Sequence, residues 1–259
     1  MSLHPQELFC AVLVSALLGS CAGPNSNIAT SAAATPRFAQ APTDRPGLGT
    51  KWGETRMSRA GFVDFARADQ SHPAATGTIY YNDAAGIRAM AGAVIWRQGW
   101  PVLGGRAESL ISIGIKDQSG RFLPGLIIGD RWFVVGEEGR RYSIVLRNKS
   151  DLRLEVVLSV DGLDVIDGRK ASLLKRGYLI MPRSQIVVEG FRQSTDAVAT
   201  FRFSPVRESY AHEKYRNTQN VGVIGAVVFN ERGTNPWTER EVEKRLRANP
   251  FPGQFAMPP

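Results

Sequence analysis

Tyr142-Ser143-Ile144-Val145-Leu146-Arg147 and Leu152-Arg153-Leu154-Glu155-Val156-Val157-Leu158-Ser159-Val160 flank the polar link Asn148-Lys149-Ser150-Asp151. In the first run Tyr142, Ile144 and Leu146 alternate with Ser143, Val145 and Arg147. In the second, Leu152, Leu154, Val156, Leu158 and Val160 share one face, with Arg153, Glu155 and Ser159 on the other. A period of two places alternate side chains on opposite faces of a strand. Two such runs joined by a short polar link read as an antiparallel hairpin with one buried face.

The same punctuation extends both ways. Gly177–Met181, Gln185–Glu189, Ala197–Phe203 and Asn220–Phe229 read as strands downstream. Thr78–Tyr81, Ala91–Trp96, Ser109–Lys116, Phe122–Ile128 and Arg131–Val135 do so upstream. Asn220–Phe229 is apolar on both faces, the mark of a central strand covered on both sides. Many short strands with Gly-rich turns predict an all-β fold, a β-sandwich or jelly-roll-like body. One short C-terminal helix is expected. Thr238-Glu239-Arg240-Glu241 has the form of a capping box, Val242 and Leu246 share a face, and Asn249-Pro250 stops it. Trp237, Val242 and Leu246 are expected to pack it on the body.

The chain has 259 residues, 43% hydrophobic and 22% charged, which excludes a disordered or fibrous polymer. Two cysteines and three histidines exclude a disulfide framework and a Cys-rich zinc module. Residues Leu8 to Leu18 are apolar apart from Ser15. As a helix at ~1.5 Å per residue they rise about 16 Å, too short to span a bilayer core but the length of a signal-peptide apolar region. Residues 22 to 50 are rich in Ala, Ser, Thr, Pro, Asn and Gly and read as a flexible tether. A coil of ~28 residues spans about 30 Å. The expected organisation is a leader over 1–20, Cys21 and the tether to 50, the β body over 51–235, and the helix and tail over 236–259.

Leu18-Gly19-Ser20-Cys21 resembles the lipobox of bacterial lipoproteins. The resemblance implies that Cys21 is the lipidated first residue of the mature chain, anchored in the membrane by acyl groups such as palmitate. Ala22 in place of Asp implies, by the same sorting rule, the outer membrane, facing the periplasm. Cys10 leaves with the leader, so no free thiol remains for catalysis or metal binding.

The chemical constellations are sparse. Asp161, Asp164 and Asp167 lie three apart near Gly168, whereas a calcium loop presents ligands at alternate positions. Asp161-Gly162 and Asp167-Gly168 read better as turns, and no metal or cofactor is expected. His72 and His212 have no G-x-S-x-G partner. Paired carboxylates of a glycan hydrolase remain an alternative, with Glu155, Glu189, Asp196 and Glu208 as the candidates. No catalytic residue is assigned, and a non-enzyme is expected.

Net charge is +8, and Arg supplies 25 of the 32 cations. They occur singly rather than in a block, so nucleic acid is not the expected partner. Such a basic body suits anionic envelope polymers. The densest stretch, Arg169, Lys170, Lys175, Arg176 and Arg183, is the candidate anion site.

One ordered set of motifs resembles a known family. Asp161-Gly162-Leu163-Asp164-Val165-Ile166-Asp167-Gly168, Arg176-Gly177-Tyr178, Glu189-Gly190-Phe191-Arg192, Val198-Ala199-Thr200-Phe201-Arg202-Phe203, Ser209-Tyr210-Ala211 and Asn220-Val221-Gly222-Val223-Ile224-Gly225 occur in that order. With Trp52-Gly53-Glu54-Thr55 and Tyr80-Tyr81-Asn82-Asp83 upstream, they are similar to uncharacterised bacterial proteins, many of them predicted lipoproteins. Where that family has Gly-Trp-Arg, this chain has Gly190-Phe191-Arg192. The resemblance implies a β body and brings no activity. The function expected is a lipid-anchored envelope module that binds a protein or an anionic polymer, with a structural subunit of a larger envelope or secretion assembly as an alternative.

Overall fold

The stretch from Tyr142 to Val160 runs through both sheets of the molecule. The computed structural model describes residues 45–91, 97–98, 102–103, 110–129, 131–235 and 239–248. In chain order the strands begin with β1 (Leu48–Met57) and β2 (Ala75–Asn82), then β3 (Arg97–Gln98), β4 (Val102–Leu103) and β5 (Ile111–Asp117). β6 (Gly125–Ile128), β7 (Arg131–Val135), β8 (Arg141–Asn148), β9 (Leu154–Val160) and β10 (Leu163–Asp164) follow. The last are β11 (Tyr178–Ile180), β12 (Gln185–Val188), β13 (Gly190–Arg192), β14 (Ala197–Pro205) and β15 (Val223–Asn230). The helices are α1 (Ala84–Ala91), α2 (Tyr210–Tyr215) and α3 (Glu239–Leu246).

One sheet has the order β1-β14-β8-β5-β4, the other β10-β9-β15-β2-β7-β6-β3, with β11 on β9. Only β2 and β7 pair in parallel among the described strands. The fold is all-β and sandwich-like. Its core lies between the sheets, where Ile113, Ile144 and Phe201 of one meet Ile79, Val156 and Ile224 of the other. Burying each such side chain contributes about 1.5–3 kcal/mol.

The expected hairpin is corrected. β8 and β9 do not pair: β8 lies between β5 and β14, and β9 lies against β15. The link is an arch from one sheet to the other, and Asn148 builds it. Its buried amide donates to the carbonyls of Leu152, Ile180 and Met181, at 2.7, 3.2 and 3.1 Å. Its carbonyl oxygen accepts from the Ser150 amide and hydroxyl. The inward face is as expected, since Tyr142, Ile144, Leu146, Leu154, Val156, Leu158 and Val160 are all buried, but the opposite face is not left to solvent: Val145, Glu155 and Val157 are buried as well.

β12 and β13 fill the space where β8 and β14 diverge. β12 pairs with β8, and β13 pairs with β14. The approach at Gly190 is so close that a Cβ there would sit 1.9 Å from the Ala199 carbonyl oxygen, so only glycine fits.

β15 is central, as its pattern predicts, but it is not covered on both sides. Ile224, Ala226 and Val228 face the core, while Val223, Gly225 and Val227 are only half-buried. A shallow groove of about 340 Å³ runs over that outer face, walled by Ala171, Ser172 and Leu173. Further along the same sheet, α1 packs Ile87 and Ala91 on Leu126, Ile128 and Phe133. Ala91, expected to open a strand, closes that helix, and the rest of that expected strand, residues 92–96, lies outside the described residues. Asp83 initiates α1, its carboxylate accepting from the Gly86 amide at 2.6 Å.

The body begins earlier than expected. Leu48–Thr50 belong to β1, and Thr50 is completely buried. α3 forms at the expected place, but Val242 and Leu246 are exposed rather than packed. Thr238 and Trp237 lie outside the described residues.

Candidate functional site

Two motif turns and α2 build one end of the sandwich. Asp161 leaves β9 with φ of 54°, the left-handed conformation that Asp tolerates better than most residues. This aims its carboxylate inward. Oδ1 accepts from the Tyr81 hydroxyl at 2.5 Å and the Gly222 amide at 2.9 Å, and Oδ2 from the Thr50 amide at 2.8 Å. Tyr81 has a single hydroxyl hydrogen, and the carboxylate takes it. The Thr50 hydroxyl, 2.7 Å from Tyr81 and 2.6 Å from Tyr142, therefore donates to Tyr81 and accepts from Tyr142. Burial pushes the Asp161 carboxyl up to about 6, against the donors that favour its charge. Burial and the Asp161 charge push both tyrosines above their ordinary values.

The next two aspartates do different work. Asp164 is buried, and its Oδ1 caps the amides of Ile166 and Asp167 at 2.9 and 3.0 Å. Asp167 points out, binds the Lys175 ammonium and accepts from the Arg169 amide. The three carboxylates thus diverge into three tasks of turn construction.

Gly168 is where this turn meets α2. Ser209 caps the helix, accepting from the His212 amide. The Gly168 carbonyl accepts from Lys214 Nζ at 3.3 Å and the Tyr215 hydroxyl at 3.0 Å. A Cβ on Gly168 would meet the Tyr210 hydroxyl at 2.8 Å. Tyr210 also closes a triangle of rings, 4.8 Å from Trp52 and 4.9 Å from Phe191, with Trp52 lying parallel to Phe191 at 6.1 Å. The hydrogen bond to Tyr210 holds the Lys214 ammonium above its ordinary pKa. Trp52, Phe191, Tyr210 and Gly168 come from four separate motifs, and the fold brings them together.

Of the candidate anion-site residues, Arg169, Lys170 and Arg176 are exposed on the loop that follows Gly168. Lys175 lies on the same loop but is engaged by Asp167. Arg183 is not part of the group. It forms a bidentate pair with Asp151, both contacts 2.7 Å, beside the start of β9. The Asp161–Gly168 turn follows the other end of β9, on the order of 20 Å away at ~3.3 Å per residue. Cys21 lies outside the described residues.

The hydrolase candidates are each held by a cation. Glu155 pairs with Arg67, Glu189 with Arg56, Asp196 with Arg59 and Glu208 with Lys51. A second cleft, of about 200 Å³, includes Glu189 but none of the other three. His72 pairs with Asp69 on the surface, and His212 binds the Arg207 carbonyl.

Arg67 escapes a reading of the sequence. It is buried, reaches Glu155 at 2.6 Å, lies 3.8 Å over the Phe229 ring, and donates to the Leu173 and Lys175 carbonyls. Glu155 in turn accepts from the Gly177 amide. Together they strap the basic loop onto the sheet. No local pattern around Arg67 signals this, whereas the capping serine Ser209 is a local sign that could have found α2.

Set against family models, curated proteins and solved structures, the chain matches none of them.

Proposed function

We propose that this chain is a lipid-anchored, non-enzymatic binding module of the bacterial cell envelope, attached to the outer membrane and facing the periplasm. The observation that carries the reading is the order of Leu8–Leu18, Leu18-Gly19-Ser20-Cys21 and a Pro/Ala/Ser-rich stretch ahead of a body that starts at Leu48. An apolar run too short to span, followed at once by a lipobox-like cysteine, suits acylation better than a transmembrane anchor. Two acyl groups suffice for stable membrane attachment where one does not. The motif resemblance to bacterial lipoproteins supports the same reading. The body supplies a rigid scaffold with loops and α2 exposed at one end, where binding residues concentrate.

The test is metabolic labelling with a palmitate analogue in a bacterial host, followed by fractionation. The wild-type chain takes the label and sediments with outer membranes. Cys21→Ala loses the label and leaves the membrane fraction. Label retained in that variant, or unchanged sedimentation, overturns the reading.

A further inference from the structure

We propose that the end of the sandwich around Gly168 is a binding surface for an acidic polysaccharide, one that carries carboxylate or phosphate groups along its sugars. The proposal deepens the envelope-binding reading and rests on it for where the polymer is met.

Contacts trace the surface from one ring to the next. Trp52 touches Tyr210, whose hydroxyl bonds Lys214 Nζ at 2.6 Å, and Lys214 and Tyr215 both bond the Gly168 carbonyl. Arg169 and Lys170 follow Gly168 directly, and Arg216 follows Tyr215. All three cations are exposed. Arg216 is held at φ of 53° as the C-cap of α2, so the helix end fixes its backbone. The acidic groups nearby are Asp167, paired with Lys175, Glu208, paired with Lys51, and Glu213 on α2. Cations exceed them.

The rings supply the platform a sugar needs. Trp52 is 37% exposed and Tyr215 43%, so each shows a surface while staying seated. Phe191 and Tyr210 hold Trp52, and the Gly168 carbonyl and the Lys214 ammonium, 5.4 Å from the ring, hold Tyr215. Rings fixed in this way offer rigid apolar platforms at small entropic cost. The C–H face of a sugar ring stacks on such a platform. Its acidic groups then meet Arg169 and Arg216, which add charge-assisted hydrogen bonds.

The test uses the full-length lipidated chain in neutral detergent, with polygalacturonate as probe and dextran as its uncharged control. Polygalacturonate binds saturably and more weakly as salt rises, and dextran does not bind. Arg169→Glu and Arg216→Glu each lower affinity about tenfold, the scale of one charge-assisted contact. Tyr215→Ala lowers it by more than Tyr215→Phe does, because Phe keeps the stacking ring and loses only the hydroxyl that seats it on the Gly168 carbonyl. Arg147→Glu, the same charge change on the exposed side of β8, stays within about twofold, since no local contact is lost.

An equal loss in Arg147→Glu, no loss in Tyr215→Ala, or equal binding of dextran overturns the proposal. So does a result in which the two arginine variants lose attraction to phosphatidylglycerol vesicles yet bind polygalacturonate as before, which makes the surface a membrane patch. Palmitate labelling reads the anchor separately, so a failure of the envelope reading and a failure of this site give different results.

Discussion

Tyr81 donates its phenolic hydrogen to Asp161 Oδ1 at 2.5 Å, at the junction of both sheets. The other groups facing that carboxylate are the amides of Thr50, Gly222 and Val223, with Tyr142 one hydroxyl further along. These are neutral donors. Burial therefore wins, and the carboxyl is raised to about 6 from an ordinary 3.8. Between those values the folded chain holds a proton that the unfolded chain has released. Stability from this group is complete below about pH 4 and is lost as pH rises through about 6, on the order of 3 kcal/mol.

Urea unfolding from pH 3 to 8 checks this. Glu54 acts with the opposite sign, because Arg202 and, with it, Arg141 hold its carboxyl at about 2. Its contribution fades as pH falls through that value, and it is small because Glu54 is substantially exposed. The expected curve rises on acidification to about pH 4 and falls below it. Asp161→Asn is less stable throughout, since its amide faces the Thr50 N–H, and the slope between about pH 4 and 6 disappears. An unchanged slope in that variant rules the assignment out.

Asn148 gives a second prediction. Asn148→Asp keeps the shape but replaces a donor to three carbonyls with an acceptor. It leaves the Leu152 and Ile180 carbonyls short of a partner, while that of Met181 still accepts from Ser184, and each buried polar group left without one costs about 1–3 kcal/mol. Asn148→Asp is expected to be the less stable of Asn148→Asp and Asn148→Ala, by urea midpoint at pH 7. The reverse order would mean that the side chain fills space at the arch and does not direct it.

The same residue marks what could be read in advance. The inward faces of β8 and β9 follow from their alternation, which is local information, whereas the burial of Val145, Glu155 and Val157 on the opposite face depends on what packs there. Their strand partners do not follow either, because a four-residue polar link reads alike as a hairpin turn or an arch. The choice rests on Asn148 meeting Ile180 and Met181, some thirty residues away. The candidate site divides similarly. Arg169 and Lys170 are legible as a dense basic stretch, while Arg183 is misplaced because sequence proximity ignores β11 and the turn after it. Trp52, Phe191 and Tyr210 stand in separate motifs, and only the strand register brings their rings together.

Gly190 provides a sharp test of the wedge between β8 and β14. A Cβ there meets backbone, the Ala199 carbonyl at 1.9 Å, and not a flexible side-chain tip. The paired strands have to separate to admit it. Gly190→Ala is expected to destabilise by more than the ~1–3 kcal/mol typical of overpacking, because backbone cannot rotate away. Gly61→Ala, with open space around it, is the control and is expected to change the urea midpoint little. Equal midpoints for the two variants would show that β13 is not seated against β14.

The strap of Arg67 and Glu155 separates stability from loop order. Removing one member leaves a buried charge alone, so Arg67→Met and Glu155→Leu should each cost about 3–5 kcal/mol. The double variant should recover much of that, because two apolar side chains of similar volume replace the pair. The loop behaves differently. Arg67 donates to the Leu173 and Lys175 carbonyls and Glu155 accepts from the Gly177 amide, and no apolar pair replaces those bonds. Trypsin cleavage at Lys170, Lys175 or Arg176 is therefore expected to quicken in the double variant even where its urea midpoint returns towards wild type. Recovery of both together would mean that the loop is held by Leu173 packing alone, and that the strap is an ion pair with no hold on the basic surface.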